Sequence, residues 1–138
     1  MASASPLAAA VAKVGDRWTL LLVEALLAGP RRFGQLRAAV PGIAPNILSQ
    51  RLKHLEAEGV VASARYSDRP PRSTYALTPS GADLVSALRL LAAWGADHSD
   101  DVVPLHHTLC GTALEAHWYC PTCDTPVPEP DADELHYA

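Results

Sequence analysis

The fold of this chain is decided by residues 45–59, which read PNILSQRLKHLEAEG. On a helix of about 3.6 residues per turn, Leu48, Leu52 and Leu55 share one apolar face. The opposite face and its edges carry polar side chains, namely Asn46, Gln50, Lys53, Ser49, Arg51 and His54. Amides and cations are the groups that contact base edges and phosphates, so the pattern is typical of a DNA recognition helix. An ordinary amphipathic helix with a solvated polar face has the same pattern, so the flanking residues must decide.

The flanking residues complete a helix-turn-helix pattern. Residues 33–40 have helical apolar spacing, and Pro41-Gly42 then breaks the chain into a tight turn. Gly59 fits the position after the last helical residue, since glycine enters the left-handed backbone region without steric cost. Two β-type segments, 60–66 and 73–78, follow and are joined by the loop SDRPPR. Because helix, turn, helix and basic hairpin occur in this order, we expect a mainly α-helical winged helix-turn-helix with a small β-hairpin wing.

Capping signals predict the helices before this motif. Pro6 follows a serine and starts a short N-terminal helix. Asp16 caps a helix over 18–28, which is so uniformly apolar that we expect it to be buried nearly all round. Arg31 and Arg32 are expected to open the next helix.

The last predicted helix carries more apolar surface than one small domain needs. It starts at Pro79 and continues through Trp94 as a single long helix. Its apolar side chains form two stripes, Leu84, Leu88 and Leu91 on one and Leu90 and Trp94 on the other. One stripe packs inside the domain, and the second suggests a partner helix, so we expect a homodimer through the first and last helices. Such a dimer places its recognition helices about 34 Å apart and reads a pseudo-palindromic site.

Charge is unevenly distributed along the chain, whose formal net charge is −4. Residues 31–72 hold eight Lys or Arg and three acids, whereas nine acids and no Lys or Arg lie from Asp97 onward. The basic block coincides with the helix-turn-helix and wing, where a phosphate-binding surface is expected.

We expect the recognition helix to enter the major groove of double-stranded DNA and the wing to reach the adjacent minor groove or its phosphates. The predicted contacts are Asn46, Ser49, Gln50 and Lys53 in the major groove, Arg69 and Arg72 on the wing, and Arg31, Arg32 and Arg51 on the backbone. Amide side chains suit adenine, and lysine suits guanine or phosphate.

All three cysteines lie in the extension predicted over residues 100–138, after a domain over 1–99. The predicted ligand set is an HxxC pair followed by a CxxC pair, His107 with Cys110 and Cys120 with Cys123. Three thiolates and one imidazole match a tetrahedral structural zinc site, so a zinc-knuckle-like extension is expected. His106 and His117 are competing fourth ligands. A redox-active CxxC with Cys110 as a third thiol, and three unrelated cysteines, are the other interpretations.

Five motifs in order closely resemble the HxlR-type family of bacterial winged-helix transcriptional regulators, over about residues 7–96. They are GDRWTLL at 15–21, GPRRF at 29–33, LSQRL at 48–52, EGVV at 58–61 and RPPRSTYALTPSG at 69–81. The resemblance implies a dimeric DNA-binding regulator. Two departures stand out: Ala44 replaces the serine that often precedes the recognition-helix proline, and no cysteine precedes Cys110, which excludes the N-terminal thiol sensing of some members.

The remaining patterns limit the function. Without a glycine-rich phosphate loop or paired carboxylates in an apolar segment, no enzyme is expected. No apolar run reaches about 18 residues and the first residues lack a secretion signal, so we expect a cytoplasmic protein that does not enter the membrane. The expected function is a repressor released by an unknown small-molecule, metal or redox signal. The alternative is a protein-interaction module that keeps the winged-helix fold without binding DNA.

Overall fold

The computed structural model describes residues 5–128 as helices with a small antiparallel sheet and a separate two-stranded hairpin. The elements in chain order are α1 (Pro6–Val14), α2 (Arg17–Leu26), β1 (Arg31–Arg32), α3 (Phe33–Ala39), α4 (Pro45–Ala57), β2 (Val61–Asp68), β3 (Pro71–Leu77), α5 (Pro79–Ala82), α6 (Val85–Asp97), β4 (Trp118–Cys120) and β5 (Thr125–Val127). No helix within residues 5–128 is long and apolar enough to cross a membrane.

The chain divides into two compact units, Met1–Leu88 and Arg89–Ala138. The domain boundary predicted from the sequence lies later, at residue 99. The last four acids of the predicted extension, at positions 129, 131, 133 and 134, lie outside the described residues.

The helix-turn-helix consists of α3 and α4. Gly42, in the turn between them, has a φ of 86°, a conformation that glycine adopts without strain. On α4 the side chains of Leu48, Leu52 and Leu55 are at most 2% exposed. Each such burial stabilises the fold by about 1.5–3 kcal/mol, which fixes the inward face of α4 and leaves its polar face outward.

A hydrogen-bonded cap ends α4 and leads directly into the wing. Gly59 has the predicted left-handed backbone, with a φ of 71°. Its N–H donates to the Glu56 carbonyl at 3.0 Å, and the Val60 N–H donates to the Leu55 carbonyl at 2.9 Å. These two bonds form a Schellman motif. The Thr78 hydroxyl, directly after β3, donates a 2.5 Å hydrogen bond to the Gly59 carbonyl. This bond connects the base of the wing to the end of α4.

The wing is an antiparallel hairpin of β2 and β3. Val61 pairs with Leu77 and Asp68 with Pro71, so the strands extend closer to the tip than the sequence predicts. The register shifts between Arg65 and Ser67. Arg69 and Arg72, which the sequence predicts to contact DNA, therefore lie at the tip of the paired strands.

A third strand, β1, pairs with β3 to give the strand order β1-β3-β2. Arg31 pairs with Tyr75 and Arg32 with Thr74. Both arginines form the edge strand of the wing sheet, so the prediction that they open a helix is wrong for Arg31. Arg32 is also the N-cap of α3, and its N–H donates to the Gln35 side chain at 2.8 Å. The helix α3 begins one residue later, at Phe33.

The core of the first unit lies between α2, α3, α4 and the start of β2. Its buried apolar side chains are Val14, Leu22, Val23, Leu26, Leu36, Val40, Ile43, Leu48, Leu52, Leu55, Val60 and Val61. The prediction that α2 is buried nearly all round is wrong, since Leu21 is 38% exposed and Glu24 is exposed as well. Only one face of α2 is buried in the core, and the opposite face is exposed to solvent.

The predicted single long helix is two helices, α5 and α6. Asp83 and Leu84 form a turn between them, where the Leu84 N–H donates to Gly81, three residues back rather than four. Leu84 and Leu88 pack against the core. Leu91 is 53% exposed, so the predicted inner stripe ends at Leu88 and Leu91 joins the exposed apolar residues.

Beyond α6, the C-terminal unit contains two chain reversals. The first turn spans residues 107–112, and the second turn spans residues 120–125. His106 and Ala113 form an isolated antiparallel bridge, and β4 pairs with β5. Every described residue from 97 to 128 is exposed except Cys120 and Val127, which are half-buried. The described part of this segment therefore has no apolar core of its own.

Candidate nucleic-acid interface

The polar face of α4 is solvent-exposed, as a recognition helix requires. Asn46, Ser49, Gln50 and Lys53 are all exposed, and the buried leucines lie on the opposite face. Ala44 is the N-cap, with an extended backbone and a methyl side chain that cannot accept a hydrogen bond. The missing cap inferred from the sequence is therefore confirmed.

The wing carries two of the predicted cations at its exposed tip. Arg69 follows β2, and Arg72 lies in β3 opposite Ser67; both are exposed. Arg65 pairs with Asp68 at 3.6 Å across the surface. A guanidinium with an acidic neighbour has less free charge to offer a phosphate, so Arg69 and Arg72 are the better candidates on this hairpin.

Arg32 lies at the end of β1, beside the wing, and is the N-cap of α3. Its guanidinium stacks over the Tyr66 ring at 4.7 Å from the centroid. An open groove of about 620 Å³ runs past this pair, and Arg72 also lines it. The stacking leaves the hydrogen-bonding edges of a guanidinium available, so the groove presents two cations together.

Two of the predicted phosphate contacts have partners inside the protein. The Arg31 Nε donates to the Ala25 carbonyl at 2.7 Å. The Arg51 Nε lies 3.6 Å from an Asp16 carboxylate oxygen, and it is buried with no hydrogen-bond partner among the described residues. Both side chains therefore help to fasten elements together, and their contact with DNA phosphates stays a prediction.

Asp16 connects the start of α2 to the recognition helix. It caps α2 by accepting from the Thr19 N–H at 3.0 Å, and it also accepts from the Thr19 hydroxyl at 2.5 Å. Thr19 is fully buried, so this hydroxyl depends on Asp16. The sequence indicates the cap but gives no sign of the contact with Arg51, which lies 35 positions later.

The environment of Asp16 lowers the pKa of its carboxyl group. Partial burial by itself raises the pKa, but the hydrogen bonds from Thr19 and the charge of Arg51 outweigh it. The carboxylate is therefore the form that the folded protein stabilises.

A second contact joins α1 to the end of α4. The Lys13 ammonium lies 2.8 Å from the Glu58 carboxylate, and the Lys13 carbonyl lies 2.7 Å from the His54 Nε2. His54 is half-buried, so it belongs to this contact rather than to the open polar face. Sequence reasoning placed His54 at the edge of that face and missed its partner.

The C-terminal unit brings the predicted metal ligands together as two separate pairs. The His107 Nδ1 lies 3.4 Å from the Cys110 Sγ within one turn. Cys120 and Cys123 hydrogen-bond within the other turn, which joins β4 to β5. Among residues 5–128, no three His, Cys, Asp or Glu side chains lie close enough to share a metal ion.

Hydrogen bonds to the sulfur atoms shift the pKa values of these thiols. Side-chain and backbone hydrogen bonds with Thr112 lower the pKa of Cys110. Backbone hydrogen bonds from Cys123 and Thr122 lower the pKa of Cys120, whereas the hydrogen bond with Cys120 raises the pKa of Cys123. All three cysteines are free thiols.

The sequence matches the family model for an HxlR-like helix-turn-helix over residues 13–102. It is 37% identical over 114 residues to the HTH-type transcriptional regulator Rv3095 of Mycobacterium tuberculosis, which covers 80% of this chain and 72% of that protein. The match to the HTH-type transcriptional regulator YtcD of Bacillus subtilis is 35% identical over 89 residues, covering 64% of this chain and 71% of YtcD.

Solved structures share the fold. The crystal structure of ytcD superposes with a TM-score of 0.64 and 34% identity, covering 69% of this chain and 97% of that chain. The redox regulator HypR in its reduced form gives a TM-score of 0.65 and 30% identity, covering 70% of this chain and 95% of HypR. With the exposed polar face of α4 and the basic wing, these matches show that the chain belongs to the HxlR-like helix-turn-helix family of DNA-binding transcriptional regulators.

Proposed function

We propose that this chain is a repressor that binds a pseudo-palindromic operator as a homodimer and blocks access to the promoter. In this docking, α4 lies in the major groove with Asn46 and Gln50 directed at adenine and Lys53 at guanine or phosphate. Arg69 and Arg72 reach the adjacent minor groove or its phosphates.

The observation that carries the proposal is the division of α4 into two faces. Three leucines are buried on one side, and the amides, hydroxyl and ammonium on the other side are all exposed. The buried face fixes the helix to the core, so the exposed groups are presented by a rigid element, as base readout requires. Arg32 of β1 and Arg69 and Arg72 of the wing add exposed cations in the same compact unit.

Exposed apolar side chains on α1 and α6 support the dimer. Leu7 and Val11 on α1 are 68% and 55% exposed, and Leu90, Leu91 and Trp94 on α6 are 43%, 53% and 62% exposed. Apolar side chains repeated along one helix are a common feature of subunit interfaces.

The releasing signal has three candidate routes in this chain. A small molecule can bind between the helices of the dimer, or a metal ion or an oxidant can act on the C-terminal thiols. The resemblance to the redox regulator HypR favours thiol chemistry, and in this sequence the first cysteine is Cys110. An oxidant therefore has to act in the C-terminal unit.

Selection of duplexes from a randomised library by the full-length chain, followed by anisotropy titrations with variants, tests the proposal. Gln50→Ala is expected to cost about 1–3 kcal/mol on the best duplex and to relax the preference at one or two positions. Arg72→Ala is expected to weaken binding to all duplexes about equally. Arg89→Ala is the matched control, because it removes the same charge from an exposed position on α6.

Two results contradict the proposal. If Gln50→Ala leaves both affinity and sequence preference unchanged, the docking of α4 is wrong. If the chain binds no duplex even at low salt, it is an interaction module that keeps the fold without the DNA-binding activity.

A further inference from the structure

The described C-terminal segment has too little buried surface to hold its own conformation. Between residues 98 and 128 only Cys120 and Val127 are even half-buried. Several large apolar side chains in it are exposed, such as Leu109 at 88% and Val103 at 77%. Segments of this size without a core are usually stabilised by disulfides, a metal ion or a partner.

The first turn has a shape that presents two metal-binding atoms on one side. The Gly111 N–H donates to the His107 carbonyl at 2.7 Å, and the His107 N–H donates to the Thr112 carbonyl at 2.9 Å. Gly111 has a φ of 71°, which lets the chain reverse directly after Cys110. This reversal holds the His107 ring nitrogen 3.4 Å from the Cys110 sulfur.

The second turn has a similar design. It lies between β4 and β5, with Cys120 as the last residue of β4 and Cys123 in the turn. Backbone N–H groups of Thr122 and Cys123 hydrogen-bond to the Cys120 sulfur. The Cys120 and Cys123 side chains also hydrogen-bond to each other, so this turn holds both sulfur atoms close together.

The histidine rings differ in what they face. The His106 Nδ1 lies 3.3 Å from the Pro104 carbonyl, and the His117 Nε2 lies 3.4 Å from the Glu115 carboxylate. Of the described histidines, His107 is the one with a ring nitrogen next to a thiol. The geometry therefore favours His107 over His106 and His117 as the fourth ligand, a choice that the sequence alone leaves open.

We propose that the C-terminal unit binds one zinc ion per chain through His107, Cys110, Cys120 and Cys123, and that the metal ion draws the two turns together. Each turn supplies a preformed pair of donors, and the donor set is that of a closed structural zinc site. The nine residues between Cys110 and Cys120 reach up to roughly 30 Å when extended, so the connection does not prevent closure. Since little surface is buried in the segment, closure disrupts no core.

Metal analysis of the full-length reduced protein, with and without a thiol-blocking reagent, tests this inference. One zinc per chain is expected, and it should be lost when the thiols are blocked. Titration of the metal-free protein with cobalt should give the thiolate charge-transfer and tetrahedral d–d bands. Hydrogen exchange should show protection of residues 105–127 on zinc addition, because the bound ion links both turns. None of these measurements depends on DNA binding.

Single variants locate the site. Loss of a group outside the ligand shell typically costs a zinc site 10–100-fold in affinity, so His107→Ala is expected to weaken zinc binding by more than about 100-fold. Cys120→Ala should have the same effect. His106→Ala and His117→Ala are the matched controls and should change the affinity by less than about threefold.

Either of two outcomes overturns the proposal. One is reduced protein that retains no zinc and shows no cobalt charge-transfer band. The other is a zinc affinity that falls equally in His107→Ala and in either histidine control.

Discussion

Substituting Asp16 by alanine removes several interactions that hold the start of α2 and reach the recognition helix. The variant loses the N-cap hydrogen bond to the Thr19 amide, which is worth about 1 kcal/mol. It also leaves the Thr19 hydroxyl unpaired in a fully buried position, which costs about 1–3 kcal/mol. The ion pair with Arg51 is about one-third exposed on both sides, so it adds no more than about 1 kcal/mol. The expected loss for Asp16→Ala is therefore about 2–5 kcal/mol.

Asp16→Asn is the matched control, because asparagine caps helices as well as aspartate and keeps hydrogen-bonding groups near Thr19. It removes only the charge opposite Arg51, so it should cost about 1 kcal/mol or less. Urea unfolding followed by circular dichroism gives both values from the midpoints and slopes. Equal losses in the two variants would show that the charge dominates, and a loss below about 1 kcal/mol in Asp16→Ala would show that the buried hydroxyl does not depend on the carboxylate. Both results would refute the reasoning.

Three further predictions follow from the caps, the titration of Asp16 and the exposed face of α6. Ala44→Ser should stabilise the protein by about 0.5–2 kcal/mol in urea unfolding, because Ala44 already has the N-cap backbone and the new hydroxyl can accept from the Ile47 amide; an unchanged midpoint would contradict this. The pKa of Asp16 is lower in the folded state, so its contribution to stability is complete above the unfolded value of about 3.9 and is lost as pH falls through the folded value. The stability difference between wild type and Asp16→Asn should therefore shrink below about pH 4, and a difference that persists in acid would contradict the titration. Trp94 is 62% exposed in the single chain and would be buried in the proposed dimer, so Trp94→Ala should raise the dimer dissociation constant at least tenfold in sedimentation equilibrium; an unchanged constant would place the interface elsewhere.

Local patterns were sufficient to predict the recognition helix and its caps. The spacing of Leu48, Leu52 and Leu55 fixes which face of α4 is buried, and Gly59 marks its end. Both signals come from residues that are close in the sequence, so they can be recognised without knowing how the rest of the chain packs.

Contacts between distant residues were not predictable in this way. The two-residue strand β1 is too short to have an alternation pattern, and its pairing partner β3 lies about 40 residues later. The approach of Arg51 to Asp16 depends on how α2 packs against α4, and no local spacing encodes that packing. For the same reason, the sequence pattern predicts a phosphate contact for Arg51 but gives no indication of its contact with Asp16.

For the candidate zinc ligands too, the sequence predicts the local pairs but not the contact between distant residues. The HxxC and CxxC spacings predict two local pairs, and the structure has both pairs in turns. Whether the two turns meet depends on a metal ion or a partner, because the intervening residues bury too little surface to decide it.

The salt dependence of DNA affinity tests the central claim most directly. If the exposed face of α4 and the basic wing bind duplex DNA, log affinity should fall linearly with log salt, with a slope of about −0.9 for each phosphate neutralised. Arg72→Ala should reduce the magnitude of that slope by about 1, and Arg89→Ala should leave it unchanged. Absence of binding at low salt, or an affinity that does not change with salt, would contradict the assignment of this surface to DNA.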